Sequence, residues 1–363
     1  MATIFHRKGE VLHDRYQVIR PLRSGGMSRV YLAMDNYMGK KVVIKHPIYN
    51  SNSRKNAIKL ERLQIEAKVL CALNHPYIPR CVDSWGSGQR FHVVTDYVPA
   101  KSMKETFRNN PPSLQETVEY VLELLEALEY LHLKGVIHRD VKPGNILMGD
   151  NVVLIDFGAA EASFLGPKRY DVKIGTPGYQ CPELFRGLLS PQCDIYSVGA
   201  TMISLLSGKQ PSHRLLKAYS QARNGLARVI KRAMNANPTN RFKTALEMKE
   251  SVKYVTPNPR GPRIIVRNKQ YEFFQNKMTI GRGKEADIRI DDRDRYVSPV
   301  HAEIHRERGN QFWIVDKSLN GTYIYQNETY KKIQRWPLID GDIVAFCYSP
   351  RKGPHKILKF RAS

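Results

Sequence analysis

The spacing of apolar residues changes twice along this chain, and each change marks a new kind of structure. Short apolar runs come first, among them Val42-Val43-Ile44 and Phe91-His92-Val93-Val94, and read as strands. A helical period follows. Leu114, Val118, Val121, Leu122, Leu125, Leu128 and Leu131 fall on one helical face, so the spacing predicts a helix from Ser113 to Lys134. Ser113-Leu114-Gln115-Glu116 supplies a capping box at its start, and Gly135 suits its end. A second helix is predicted over 57–73, with Leu63, Leu70 and Leu73 as its inward stripe and His75-Pro76 closing it. Glu66 lies on that stripe. A carboxylate aimed into a core is costly unless a cation meets it.

The second change comes at Val255-Thr256-Pro257-Asn258-Pro259-Arg260-Gly261-Pro262. Three prolines and a glycine cannot continue a helix and read as a linker. Beyond it, alternation dominates, as in Arg263-Ile264-Ile265-Val266, Ala286-Asp287-Ile288-Arg289-Ile290, Ala302-Glu303-Ile304-His305, Phe312-Trp313-Ile314-Val315 and Thr322-Tyr323-Ile324-Tyr325. Short strands separated by Gly, Asn and Asp turns predict a small β-sandwich.

Composition narrows the class. With 42% hydrophobic and 25% charged residues, the 363-residue chain reads as globular and large enough for two or three domains. No apolar stretch approaches the roughly 20 residues that span a bilayer, and the start carries no apolar core of a signal peptide. The expected location is the cytoplasm. Cys71, Cys81, Cys181, Cys193 and Cys347 lie far apart, so neither a zinc site nor a disulfide framework is expected. The formal charge of +24 raises encounter rates with anionic partners. Its basic clusters at 54–62, 214–232 and 260–269 lack the interleaved aromatics of a single-strand groove. Acidic or phosphorylated protein is therefore the expected partner, and nucleic acid is not.

Candidate chemistry is densest in Val136-Ile137-His138-Arg139-Asp140-Val141-Lys142-Pro143-Gly144-Asn145-Ile146-Leu147 and Ile155-Asp156-Phe157-Gly158. The two segments supply a carboxylate base, a cation beside it and two oxygen ligands suited to magnesium. Phosphoryl transfer relies on such positioning and charge neutralisation. The pair resembles the catalytic and metal loops of bacterial Hanks-type serine/threonine protein kinases. That resemblance makes Asp140 the group that orients the attacking hydroxyl and Lys142 the cation on the transferring phosphoryl. Asn145 and Asp156 become ligands for magnesium, which manganese could replace, and His138 a brace of the loop. A lysine at position 142 implies serine/threonine rather than tyrosine specificity.

The resemblance covers about Tyr16 to Val255. Lys45, ending Val42-Val43-Ile44-Lys45, matches the strand lysine that holds the ATP phosphates, and Glu66 is its expected partner. Leu22-Arg23-Ser24-Gly25-Gly26-Met27-Ser28-Arg29-Val30 occupies the place of the glycine-rich lid. It departs from the pattern, since the family has glycine at positions 23 and 28. That departure leaves open a second reading, a pseudokinase scaffold acting by phosphopeptide capture. Thr95 would line the adenine pocket, with the backbone of Asp96 and Val98 bonding the base. Gly175-Thr176-Pro177-Gly178-Tyr179-Gln180-Cys181-Pro182-Glu183 resembles an activation segment, in which Thr176 contacts Asp140 and Lys142 and Glu183 pairs with Arg241. Asp171 is expected to face Arg139 in place of a phosphothreonine.

Ile280-Gly281-Arg282-Gly283, Ser298-Pro299-Val300-His301 and Ser318-Leu319-Asn320-Gly321-Thr322 resemble a forkhead-associated (FHA) domain. The resemblance implies that Arg282, Ser298 and Asn320 bind a phosphothreonine peptide while His301 braces their loops. Arginine suits phosphate because its planar fork matches the oxygens. The expected architecture is α+β: an extension (1–15), a bilobal kinase fold (16–255), a Pro-rich linker (256–263) and a small all-β FHA sandwich (264–363). Expected partners are ATP, protein substrates with Ser or Thr, and phosphothreonine proteins or a phosphorylated copy of the chain.

Overall fold

The computed structural model describes residues 5–24, 28–49, 52–149, 151–166, 175–212, 214–215, 217, 225–256, 262–267, 269–273, 276–307 and 311–362. The chain divides into two compact units, Met1–Thr256 and Pro257–Ser363.

The first unit begins with six strands: β1 (Val11–Leu12), β2 (Tyr16–Ser24), β3 (Ser28–Asp35), β4 (Lys40–Pro47), β5 (Cys81–Trp85) and β6 (His92–Asp96). They form an antiparallel sheet in the order β1-β2-β3-β4-β6-β5. In β4 Val42 and Ile44 are buried while Val43 and Lys45 point to the other, partly open face. That two-residue period delivers the lysine to one side of the sheet.

Helix α1 (Ser53–Cys71) crosses from β4 to β5. It starts four residues before the expected position and ends two before it. The polar first turn shows no apolar period, and the signal there is the cap: the Asn52 side chain accepts from the Lys55 N–H. After the one-turn α2 (Met103–Thr106), α3 (Leu114–Leu133) carries the expected capping box between Ser113 and Glu116. Leu114, expected to face inward, is 56% exposed because the buried face of the helix begins at Thr117. Leu124, Leu125, Leu128 and Leu131 pack with Ile195, Val198 and Ile203 of α4 (Gln192–Ser207), Ile230 of α5 (Gly225–Ala233) and Met248 of α6 (Ala245–Val255). Helix α4 ends at Gly208 with φ +65, and Pro111 lies 2.8 Å from where a Cβ would stand, so only glycine fits. Between α3 and α4, β7 (Val136–Ile137) pairs with β10 (Glu161–Ala162), and β8 (Ile146–Met148) with β9 (Val152–Leu154).

One expectation is overturned. Cys71 is bonded to Cys81 and Cys181 to Cys193, with Cα–Cα separations of 5.0 and 5.1 Å. Each pair joins a helix end to the segment packed against it, a proximity that spacing along the sequence does not reveal.

The second unit is a sandwich of two sheets. One holds β11 (Arg263–Val266), β12 (Lys269–Glu272), β17 (Thr322–Gln326), β18 (Thr329–Ile333), β20 (Ile343–Ser349) and β21 (Gly353–Arg361). The other holds β13 (Lys277–Gly281), β14 (Ile288–Arg289), β15 (Ala302–Glu307), β16 (Gln311–Asp316) and β19 (Arg335–Leu338). Ile280, Ile304, Ile314, Ile324, Phe346 and Phe360 fill the space between them. Their neighbours Glu303 and His305 point outward, as alternation requires. The class is α+β. Among the described residues no helix is long and apolar enough to cross a membrane.

Candidate functional site

Asp140 is fixed from three sides. Its Oδ1 accepts from the Thr176 hydroxyl at 2.8 Å. Its Oδ2 accepts from Lys142 Nζ at 2.5 Å and from Asn145 Nδ2 at 2.8 Å. Lys142 Nζ also donates to Thr176 Oγ1 at 2.5 Å, which closes a triangle of base, cation and hydroxyl. Beneath it the buried Asp194 carboxylate accepts from the backbone N–H of His138 at 2.9 Å, that of Arg139 at 2.8 Å, and His132 Nε2 at 3.0 Å. Arg139 sits at φ +68, a conformation its neighbours must hold in place. His138 packs edge-on against Phe157 and reaches the Ile155 carbonyl at 3.2 Å, a bracing role as expected. Burial pushes its imidazole below the usual range despite the carboxylates of Asp194, Asp140 and Asp156.

Across the cleft, Lys45 Nζ donates to Glu66 Oε1 at 2.5 Å. Burial raises the Glu66 carboxyl, and Lys45 opposes that shift. For Asp156, burial also pushes upward, but Lys45, His138 and Lys142 outweigh it and hold the carboxyl below its ordinary range. A carboxylate that stays charged in a half-buried place, with the Lys45 and Lys142 cations acting on it, is suited to a hard divalent ion. Asn145 gives amide hydrogens to the Asp140 carbonyl and carboxylate, so its own oxygen is its acceptor for such an ion. The donor set therefore fits magnesium or manganese.

The segment expected to form the nucleotide lid is described in part. Leu22 lies in β2 and Ser28, Arg29 and Val30 in β3, where Arg29 places its guanidinium over the Phe5 ring at 3.6 Å. Gly25, Gly26 and Met27 lie outside the described residues, as do the side chains of Arg23 and Ser24. Thr95 is buried on β6 opposite Val43, and Asp96 gives its carboxylate to Lys40 Nζ at 2.5 Å. That pairing leaves the Asp96 side chain serving the sheet. Val98 lies two residues past the end of β6, its carbonyl accepting from the Ala100 N–H at 2.8 Å. Glu183 meets Arg241 in a two-pronged buried pair at 2.6 and 2.7 Å, the contact the resemblance implied.

Two residues were missed. The expected partner Asp171 lies outside the described residues; Arg139 donates to Glu161 at 2.8 Å, and Arg62 and Glu161 are the two the sequence did not mark. Arg62 of α1 stands 3.6 Å from the same carboxylate oxygen. No local pattern marks this trio, which comes from three separate segments.

In the second unit, Gly281 lets two loops touch: a Cβ there would lie 2.0 Å from the Pro299 carbonyl oxygen. Arg282 and Gly283 N–H groups accordingly donate to the carbonyls of Ser298 and Pro299. Ser298 Oγ accepts from the Leu319 N–H at 3.3 Å, and Asn320 Nδ2 donates to the Tyr296 carbonyl at 2.9 Å. Arg282, Ser298 and Asn320 thus stand on loops tied to one another, and Arg282 Nε is buried without a hydrogen-bond partner. His301 is the brace: Nδ1 accepts from the Ser298 N–H at 3.1 Å and Nε2 donates to the Gly321 carbonyl at 3.1 Å. Burial pushes its pKa below the ordinary 6.5, outweighing the Gly321 carbonyl and nearby carboxylates. The unfolded chain therefore takes up the proton first. His301 stabilises the unit fully above pH 6.5, and that contribution fades as pH falls towards the folded value. Thermal unfolding of the second unit followed into mild acid should show this loss, and His301→Gln should flatten it. Equal acid sensitivity in both would refute the assignment.

The comparisons agree with this geometry. Residues 16–264 match the family model described as protein kinase domain, and residues 278–347 the model described as FHA domain. The chain is 32% identical over 273 residues to serine/threonine-protein kinase C of Synechocystis, covering 67% of this chain and 50% of that one. It is 36% identical over 269 residues to serine/threonine-protein kinase PknA of Nostoc, covering 67% and 48%. A third relative, PknB of Mycobacterium leprae, is 30% identical over 283 residues, covering 70% and 45%. The chain belongs to the protein kinase family and carries an FHA domain after its kinase domain. It spans about half the length of the curated relatives it matches.

Proposed function

We propose that this chain is a serine/threonine protein kinase that transfers the γ-phosphate of ATP to protein hydroxyls. The observation that carries the reading is Asp140 locked between Lys142, Asn145 and Thr176 while Lys45 and Glu66 are already paired. Asp140 orients the acceptor hydroxyl, Lys142 neutralises the moving phosphoryl, and Lys45 holds the phosphates. Asn145 and Asp156 would hold magnesium, which would supply positive charge against that of the phosphates. The relatives named as serine/threonine kinases and the lysine at position 142 support the hydroxyl specificity. A scaffold reading draws no support from a site whose polar groups are all in place. The test is incubation of the purified chain with ATP, magnesium and a generic basic protein, scored by phosphate on Ser and Thr. No transfer with magnesium or manganese would sink it.

The FHA module reads phosphothreonine on a cytoplasmic partner or on another copy of the chain, raising the local concentration of substrate near the kinase domain. Arg282 supplies charge to the phosphate, Ser298 a hydroxyl donor, and Asn320 a grip on peptide backbone. Arg282→Ala is expected to weaken a phosphothreonine peptide by about 30-fold, the worth of one charge-assisted hydrogen bond. Calorimetry checks this, with the unphosphorylated peptide as the baseline. Equal binding of both peptides by the unaltered chain would remove phosphate recognition from the reading.

A further inference from the structure

Glu161 sits where two cations from different elements meet. The β10–β7 ladder sets it opposite Ile137, two residues before Arg139. The Arg139 side chain is fully buried, and its Nη1 donates to Glu161 Oε1 at 2.8 Å. The same oxygen faces Arg62 Nη1 at 3.6 Å. Arg62 lies one turn before Glu66 on α1, so the helix that supplies the partner of Lys45 is bound to the loop that supplies Asp140. One carboxylate joins both.

The charges explain why the joint needs an anion. Burial disfavours the Arg139 cation, Arg62 adds repulsion, and the Glu161 carboxylate works against both. Without Glu161 the Arg62 and Arg139 guanidinium groups would lose the carboxylate they share in a partly dry site. Their repulsion would be relieved by α1 moving outward, which separates Glu66 from Lys45.

We propose that Glu161 is a positioning residue for phosphoryl transfer, an internal anion that couples α1 to the catalytic loop without a phosphate on the activation segment. The inference rests on the kinase reading above. Its chemical content is specific: a built-in carboxylate does the work an added phosphoryl group would do between Arg62 and Arg139.

The test uses the full chain, freed of phosphate by a co-expressed phosphatase and verified by intact mass. Initial rates on a generic basic protein are followed from the first seconds, alongside phosphate incorporation into the chain. The unaltered protein should work without a lag. Glu161→Gln should lower kcat by about 10- to 100-fold with little change in KM for ATP, the effect of misplaced groups and not of lost binding. Glu161→Asp should recover part of the rate, which a purely structural role would not produce. Arg62→Gln leaves the Glu161–Arg139 bond intact and should still lower kcat, covering the case in which Glu161→Gln fails to fold. A lag that tracks phosphate incorporation between residues 163 and 176 would overturn the inference, as would a Glu161→Gln kcat equal to that of the active parent. Should the unaltered chain transfer no phosphate at all, the kinase reading falls and this inference falls with it.

Discussion

Replacing Asp140 with asparagine is expected to lower phosphoryl transfer by about 1,000-fold while ATP still binds. The loss follows from what surrounds the carboxylate. Its two oxygens accept from Thr176, Lys142 and Asn145, three donors that converge on one acceptor group. An amide of the same shape keeps one oxygen but turns an N–H₂ group towards at least one of those donors. It can neither orient nor take the proton of an attacking hydroxyl, and a positioned base contributes roughly 100- to 10,000-fold. Lys45 and Asp156 are untouched, so the nucleotide and its metal should still bind. Radiolabelled ATP measures the rate, and a thermal shift with magnesium-ATP measures binding. Retention of a tenth of the parental rate would remove Asp140 from its role.

Arg241→Met should destabilise the first unit by about 3–5 kcal/mol, because it strands a buried carboxylate. Arg241 gives Nη1 and Nη2 to Glu183, Nε to the Asn235 carbonyl and a further bond to the Gln192 carbonyl. The pair is almost wholly dry, with the Arg241 side chain fully buried. Removing the cation leaves Glu183 charged without its ion-pair partner and takes one donor from each of two carbonyls. Over a unit of this size the cost amounts to a fall of roughly 10 °C in its unfolding transition. The companion variant Glu183→Leu with Arg241→Met removes both charges and should recover much of the loss. Calorimetry on the full chain separates the cases. A double variant less stable than the single one would show that the pair contributes by attraction rather than by mutual neutralisation.

What could be read from the sequence was what is local in it. The capping box of Ser113 and Glu116 and the alternation of Ala302 to His305 depend on neighbours within a turn or a strand, and the structure shows both. The catalytic loop was legible because its polar groups act within a few residues of one another. Contacts closed by tertiary folding were not. The two cysteine pairs join segments 10 and 12 residues apart through turns that no composition rule specifies. Glu161 reaches Arg139 across 22 residues and Arg62 from still further away. Strands β20 and β21 escaped notice for a different reason. Ile343, Val344, Ala345 and Phe346 are buried in succession, which blurs the two-residue period that reveals a strand.

Asp194 has a consequence for how this molecule could be singled out by an inhibitor. With its carboxylate engaged by two backbone amides and a ring nitrogen, the floor beneath Asp140 has no second resting place. On the opposite wall α1 is tied to the catalytic loop through the Glu161 carboxylate. A compound shaped to the floor would meet a surface pinned by the three Asp194 bonds. One that wedges behind α1 would instead meet the cluster of Arg62, Glu161 and Arg139.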